Sequence, residues 1–235
     1  MIENMPSKPA HEPGLQPRQG LLIVAEGLDG SGKSATLEGL GRWLERQGRK
    51  VRTVAWEPSR LVGRAAADPR SRVALTPRVA ALLAAADAQR RIGLRVARRL
   101  GRGEVVLADR YAWTAIAREA ARGLELDWAI NLHGTLPAPD LVLYHRGRAG
   151  PAVERALAAR PPSIRSAAVG AAYGSFVDRL LAALDELSER SARGAGTPWS
   201  TRVLRLDVDA EPGANARFAR DAIRELDERA AGQAG

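Results

Sequence analysis

Residues 21–40 read LLIVAEGLDGSGKSATLEGL. A run of branched apolar residues, Leu21 to Val24, leads into Gly27-Leu28-Asp29-Gly30-Ser31-Gly32-Lys33-Ser34, after which small and helix-forming residues resume. Gly, four residues, Gly, Lys and Ser is the spacing of a phosphate-binding loop, set here between a strand and a helix start as that loop requires. Glycines let backbone N–H groups curl around phosphate oxygens with no side chain in the way. The helix start adds its partial positive charge. In such a loop Lys33 reaches the β- and γ-phosphates, and the Ser34 hydroxyl offers Mg²⁺ the hard oxygen ligand it prefers. The plainer alternative is a glycine-rich turn before an ordinary helix. Only three of the 36 Lys and Arg residues are lysine, Lys8, Lys33 and Lys50, so a chain strongly biased towards Arg still places Lys in the loop. That choice suits a compact point charge rather than a planar fork.

A chain of 235 residues suits one α/β domain, or one domain with a lid. The absence of cysteine excludes disulfides and thiolate metal sites. His11, His133 and His145 are scattered without metal-ligand spacing and read as surface or core residues. The net charge of +9 fits nucleic acid, an anionic surface or a phosphorylated small substrate. Because the arginines spread along the whole chain with no basic run interleaved with aromatics, nucleic acid is not the favoured partner. No apolar run approaches the ~20 residues that span a bilayer, so no membrane association is expected. Residues 1–19 carry four prolines and no apolar core; they read as a disordered leader, not a secretory signal. The expectation is a cytoplasmic protein whose residues 20–235 form a single domain.

Strands are expected over residues 21–25, 51–55, 104–108, 141–144 and 202–206. Helices are expected over 33–47, 77–100, 114–122, 127–134, 151–160, 169–191 and 212–230. In the helix over 77–100 the apolar positions are Val79, Leu82, Leu83, Ala86, Ile92 and Val96, and Asp87 among them needs a partner if it is buried. Strands alternating with helices imply five parallel strands with helices on both faces. Two strand ends carry chemistry. The second reaches Trp56-Glu57-Pro58, at the edge where open α/β sheets bind ligands, although a surface turn explains Glu57 equally well. The third delivers Asp109-Arg110-Tyr111. An acid beside a guanidinium there supplies a Mg²⁺-side carboxylate and a phosphate fork together, the alternative being a structural ion pair.

With these residues in place, the chain resembles the thymidylate kinase family of phosphate-loop nucleoside monophosphate kinases. The resemblance rests on the order and spacing of Glu26 to Ser34, Glu57-Pro58, Ala85-Ala86-Asp87, Asp109-Arg110-Tyr111, Leu136 to Leu141, the later helix with Val169 and Tyr173, and Asp207 to Ala210. It covers nearly everything from residue 21 to residue 229, and Asp-Arg-Tyr is its most family-specific part. It implies a three-layer fold with a short lid at about residues 151–168. It implies ATP on the loop, held by Gly27, Asp29, Gly30, Ser31, Gly32, Lys33, Ser34 and Ala35, with its adenine near Asp209 and Ala210. Magnesium would be held by Ser34 and Asp109. A nucleoside monophosphate, dTMP by default, would bind opposite through Asp29, Glu57, Asp87, Arg90, Asp109, Arg110, Thr114 and Arg118. Lys33 and Arg110 would assist transfer. Members without an arginine inside the loop, as here with Gly30-Ser31, supply that charge from the lid, which points to Arg160 and Arg165. Family members are often homodimers.

The chain departs from the family pattern at several places. Ala88 stands where an arginine usually reads the thymine edge, and Arg118 where a tyrosine packs on the base. Trp56 replaces the arginine before Glu-Pro, Ala35 the second loop hydroxyl, and His145-Arg146 the Leu-Asp after the fourth strand. Phosphate chemistry reads as kept and base recognition as rewritten. Two further readings therefore stand beside a dTMP kinase: a kinase of another nucleotide, a nucleoside or a specialised metabolite, and a non-catalytic nucleotide-binding or nucleic-acid-associated protein.

Overall fold

Five short strands pair side by side in the computed structural model, which describes residues 20–56, 76–151, 154, 167–194, 196–199, 201–209 and 213–232. The strands are β1 (Leu22–Gly27), β2 (Val51–Ala55), β3 (Val105–Asp109), β4 (Leu141–Arg146) and β5 (Arg202–Asp207). They form one sheet in the order β2-β3-β1-β4-β5, and every pairing is parallel. All carboxyl ends therefore lie along one edge, with β1 in the middle.

Period-two alternation sends side chains of β1, β3 and β4 to opposite faces. Leu22, Val24, Val106, Ala108, Val142 and Tyr144 face one layer. There they meet Ile92, Val96 and Leu100, Trp113 and Ile116 of α4 (Ala112–Ala121), Ala129 and Ile130 of α5 (Leu126–His133), and Val177, Leu184 and Leu187 of α6 (Ala167–Ala192). Ile23, Ala25, Leu107, Leu141 and Leu143 face the other layer. They pack on Leu37, Leu40 and Leu44 of α1 (Lys33–Arg46) and on Ala219, Ala222 and Ile223 of α7 (Ala214–Gly232). Burial on both faces explains why the central strands read as unbroken apolar runs. The Asp140 carboxylate accepts the Leu22 backbone N–H at 2.6 Å, which ties the start of β4 to the start of β1.

The helix expected over 77–100 is not continuous. It is α2 (Pro77–Ala88), a π-helical turn at Gln89–Gly93, and α3 (Leu94–Leu100). Thr76 caps α2, its hydroxyl accepting the Val79 N–H at 3.3 Å, and Pro77 opens it. The wide turn shifts the helix phase, so the apolar positions divide. Ile92 and Val96 are buried as expected, whereas Val79, Leu82 and Ala86 are exposed and α2 buries Ala81, Ala85 and Ala88 instead. The disordered leader, Glu57 and nearly all of the expected helix at 151–160 and the lid fall outside the described residues.

Candidate active site

Register puts the chemistry-bearing residues side by side. Ala25 of β1 pairs with Asp109 of β3, and Gly27 pairs with His145 of β4. The loop leaving β1 therefore sits between the ends of β3 and β4. Gly27 has φ 141°, and a Cβ there would lie 2.3 Å from the His145 carbonyl oxygen. Only glycine lets β1 and β4 close at this point. Gly30 and Gly32 also take positive φ, 71° and 85°, and Gly32 leads directly into α1. Asp29, Gly30, Gly32, Ser34 and Ala35 are exposed, while Ser31 and Lys33 are buried.

Lys33 turns inward. Its ammonium donates to the Leu28 carbonyl at 2.5 Å and to the Ser31 hydroxyl at 3.3 Å. Burial and then the nearby Arg110 bring its pKa down to about 8. The Ser34 hydroxyl donates to the Asp109 carboxylate at 2.7 Å, bringing the end of β3 against the first turn of α1.

Arg110 is the one described non-glycine residue with positive φ, 67°. Its backbone N–H donates to Ala25 at 3.0 Å, which holds the bend. Its guanidinium donates to the Gly27 carbonyl at 2.9 Å, to the Thr114 hydroxyl at 3.4 Å and to the Asp29 carboxylate at 2.5 Å. Partial burial pushes the Asp29 carboxyl up, but the charge and hydrogen bond of Arg110, with Lys33 and Arg118 behind it, bring it below its ordinary value. Arg118 is half-buried one helix face further along α4. Asp29, Arg110 and Arg118 line a cleft closed by Tyr173, Val177 and Leu180 of α6.

Two buried residues support this arrangement, and sequence reasoning gave neither a role. Glu26 is fully buried, and one of its oxygens accepts the backbone N–H groups of Tyr111 and Thr114 at 2.9 and 3.2 Å. Its other oxygen takes the Thr114 hydroxyl at 2.5 Å. The start of α4 lacks a side-chain cap of its own, so a carboxylate from the central strand caps it. Burial raises the Glu26 pKa even against these hydrogen bonds. The signal was present: an acid closing a buried apolar strand demands partners. Thr114, expected on the acceptor side, is 2 % exposed and holds Glu26. His145 is the second supporting residue. Its Nδ1 lies 3.0 Å from the Ser31 carbonyl, so Nδ1 carries the proton and donates. Burial brings its pKa down to about 4, which keeps the ring neutral at ordinary pH.

The remaining expected residues lie elsewhere. Asp87 is buried and pairs with Arg91 at 2.5 Å and with the exposed Arg90 at 3.4 Å, so its partner is local. Asp209 pairs with Arg148 at 2.9 Å beyond β5, and its N–H donates to the Asp207 carboxylate at 2.9 Å. Glu57, Arg160, Arg165 and Ala210 fall outside the described residues. Trp56, where the pattern has arginine, packs edge-on against Tyr111 and His133, with centroids 6.3 and 5.9 Å apart.

A sheet of order β2-β3-β1-β4-β5 with a Gly-x₄-Gly-Lys-Ser loop after its central strand, facing an acid and a guanidinium from β3, defines the phosphate-loop α/β class. Residues 25–166 match the family model described as thymidylate kinase, and the chain belongs to the thymidylate kinase family. Relatives include the probable thymidylate kinase 2 of Saccharolobus solfataricus, 34% identical over 137 residues, which are 58% of this chain and 64% of that protein. The probable thymidylate kinase of Thermococcus gammatolerans is 35% identical over 136 residues, 53% of this chain and 64% of the relative. The thymidylate kinase of Xanthomonas oryzae pv. oryzae is 31% identical over 135 residues, 53% of this chain and 55% of the relative. The chain thus spans between 55% and 64% of the length of these relatives.

Proposed function

We propose that the chain transfers the γ-phosphoryl group of ATP to a nucleoside monophosphate, dTMP to dTDP as its family default. The observation that carries this reading is the meeting of Lys33, the Ser34–Asp109 pair and the Arg110–Asp29 pair at one sheet edge. Family membership supports the same reading. An oxygen of the acceptor phosphate bonds to the γ-phosphorus while the bond from that phosphorus to the β–γ bridging oxygen breaks, releasing ADP. The attacking oxygen is already anionic, so no general base is required. The protein contributes alignment and positive charge.

The geometry supports the following roles. Amides around Gly30 and Gly32 cradle the donor phosphates, and Lys33 turns from Leu28 and Ser31 towards them. His145 steadies the Ser31 carbonyl beneath the loop, and Glu26 fixes the start of α4 so that Arg110 faces the acceptor. The Ser34 hydroxyl and Asp109 carboxylate, already 2.7 Å apart, are a hard-oxygen pair suited to Mg²⁺, which takes one or two protein oxygens and fills its other positions with phosphate and water. Bound there, Mg²⁺ supplies positive charge against the transferring phosphates. Asp207 to Ala210 would border the adenine, and Glu57, Arg160 and Arg165 would complete the acceptor side and lid. Residues 20–235 would act as one domain in the cytoplasm; among the described residues no helix is long and apolar enough to cross a membrane. The exposed Val79 and Leu82 of α2 give a homodimer an apolar patch.

The test is a coupled ADP-release assay across nucleoside monophosphates and nucleosides. Turnover of dTMP that is lost in Lys33→Ala supports the proposal. Turnover confined to another acceptor would replace dTMP, and ATP binding without acceptor-dependent turnover would remove the kinase reading.

A further inference from the structure

Two departures from the family pattern, His145 and Arg146, end β4, and each has its own partner. Period-two alternation sends Tyr144 and Arg146 to one face of the sheet and His145 to the other. His145 reaches the donor loop, its Nδ1 donating to the Ser31 carbonyl at 3.0 Å. Tyr144 and Arg146 both reach Asp185 of α6. The Tyr144 hydroxyl donates to Asp185 Oδ1 at 2.9 Å, and the Arg146 guanidinium forks onto both carboxylate oxygens at 2.9 and 3.0 Å. Burial, and then the charge of Asp185, raise the Tyr144 pKa, so the hydroxyl stays a donor. Closer to its amino end the same helix places Tyr173, Val177 and Leu180 on the cleft that holds Asp29 and Arg110.

We infer that Arg146 and Asp185 are positioning residues for phosphoryl transfer: through them the end of β4 fixes the angle of α6, and with it the acceptor wall, relative to the donor loop. The inference rests on the phosphoryl-transfer reading and adds what aligns its two halves. In-line displacement needs both substrates held in register, and an error of about 1 Å costs on the order of 10²-fold in rate. The length of α6 amplifies a small error. Tyr173 precedes Asp185 by about 18 Å along the helix axis, so a tilt of about 5° at Asp185 displaces it by about 1.6 Å. Val177, Leu184 and Leu187 bury α6 on the sheet, but apolar contact is non-directional. A two-point contact between guanidinium and carboxylate has a preferred plane and supplies the angle.

The test compares steady-state kinetics of the full chain as wild type, Arg146→Gln, Asp185→Asn, the double variant and Arg146→Lys. The acceptor is dTMP, or whichever monophosphate the wild type turns over, and thermal unfolding runs alongside. The Arg146 side chain is 59% exposed, so losing the contact is expected to shift the thermal midpoint by only about 2–4 °C. In each single variant kcat is expected to fall about 10- to 100-fold, with the KM values of ATP and acceptor within about threefold of wild type. The double variant is expected to lose no more than either single one, because the two side chains act as a unit. Arg146→Lys, a point charge without the fork, is expected to recover only part of the loss. Unchanged kcat in the single variants, a raised KM with kcat intact, losses that multiply in the double variant, or full recovery in Arg146→Lys would each overturn the alignment role and leave phosphoryl transfer standing. A wild type without acceptor-dependent turnover would remove both.

Discussion

Lys33 gives a quantitative handle on the loop. Without ligand its ammonium lies buried against a carbonyl and a hydroxyl with Arg110 nearby, and its pKa falls to about 8 from an ordinary 10.5. A triphosphate on the loop supplies the missing counter-charge and returns the group to its ordinary range or above. At pH 9 only about a tenth of the free protein carries that proton, so ATP binding takes up about 0.9 proton there against about 0.1 at pH 7. Phosphate groups titrate near pH 6, so at pH 9 ATP has no proton of its own to release. Affinity is therefore flat below about pH 8 and falls about tenfold per pH unit from there towards 10.5, a total of about 3 kcal/mol. Calorimetric titration of ATP at pH 9 in two buffers of different ionisation enthalpy reads the uptake directly, with Lys33→Ala as the control. Equal heats in the two buffers, or the same uptake in Lys33→Ala, would refute the reasoning. The stability of the free protein moves the opposite way: the unfolded chain binds the extra proton between about pH 8 and 10.5, so the fold gains stability as pH rises through that window.

The supporting residues yield further expectations. His145 takes a proton only near pH 4 in the fold but near 6.5 when unfolded, so stability drops by about 3 kcal/mol as pH falls across that window. Urea unfolding at a series of pH values checks this, with His145→Asn giving a shallower acid slope. Glu26→Ala leaves two backbone donors and a hydroxyl at the start of α4 without a partner and is expected to cost about 2–4 kcal/mol, read as a lower urea midpoint, while Glu26→Gln costs clearly less. Gly27→Ala forces a Cβ against the His145 carbonyl at positive φ and is expected to cost about 3 kcal/mol together with ATP affinity, measured by thermal unfolding and by nucleotide titration.

The centre of the sheet was legible in the sequence because β1, β3 and β4 are buried on both faces and announce themselves as apolar runs; all five strands appear within two residues of their expected ends. Gly27 to Ser34 and Asp109-Arg110 were legible for another reason. Each needs an unusual residue type at a fixed offset from a strand end, and local spacing carries that information. What was hidden depends on contacts distant in sequence. Glu26 meets Tyr111 and Thr114 only because β1 and β3 pair, and His145 reaches Ser31 only because β4 lies on the other side of β1. The π turn at Gln89–Gly93 escaped because six of the twelve residues before it, 77–88, are alanine, which marks no face strongly and leaves the helix phase open. Once the turn shifts the phase, Val79 and Leu82 point outwards while small alanines meet the core. Asp87 was noticed as an acid needing a partner, and it has Arg90 and Arg91 one turn ahead.

The most direct measurement of phosphoryl transfer follows ³¹P resonances in a mixture of the chain, ATP, Mg²⁺ and dTMP. The proposed chemistry predicts that the γ signal of ATP and the monoester signal of dTMP decline together while the signals of ADP and dTDP grow in equal amounts. A γ signal that is unchanged, or that decays to inorganic phosphate with dTMP intact, would contradict it.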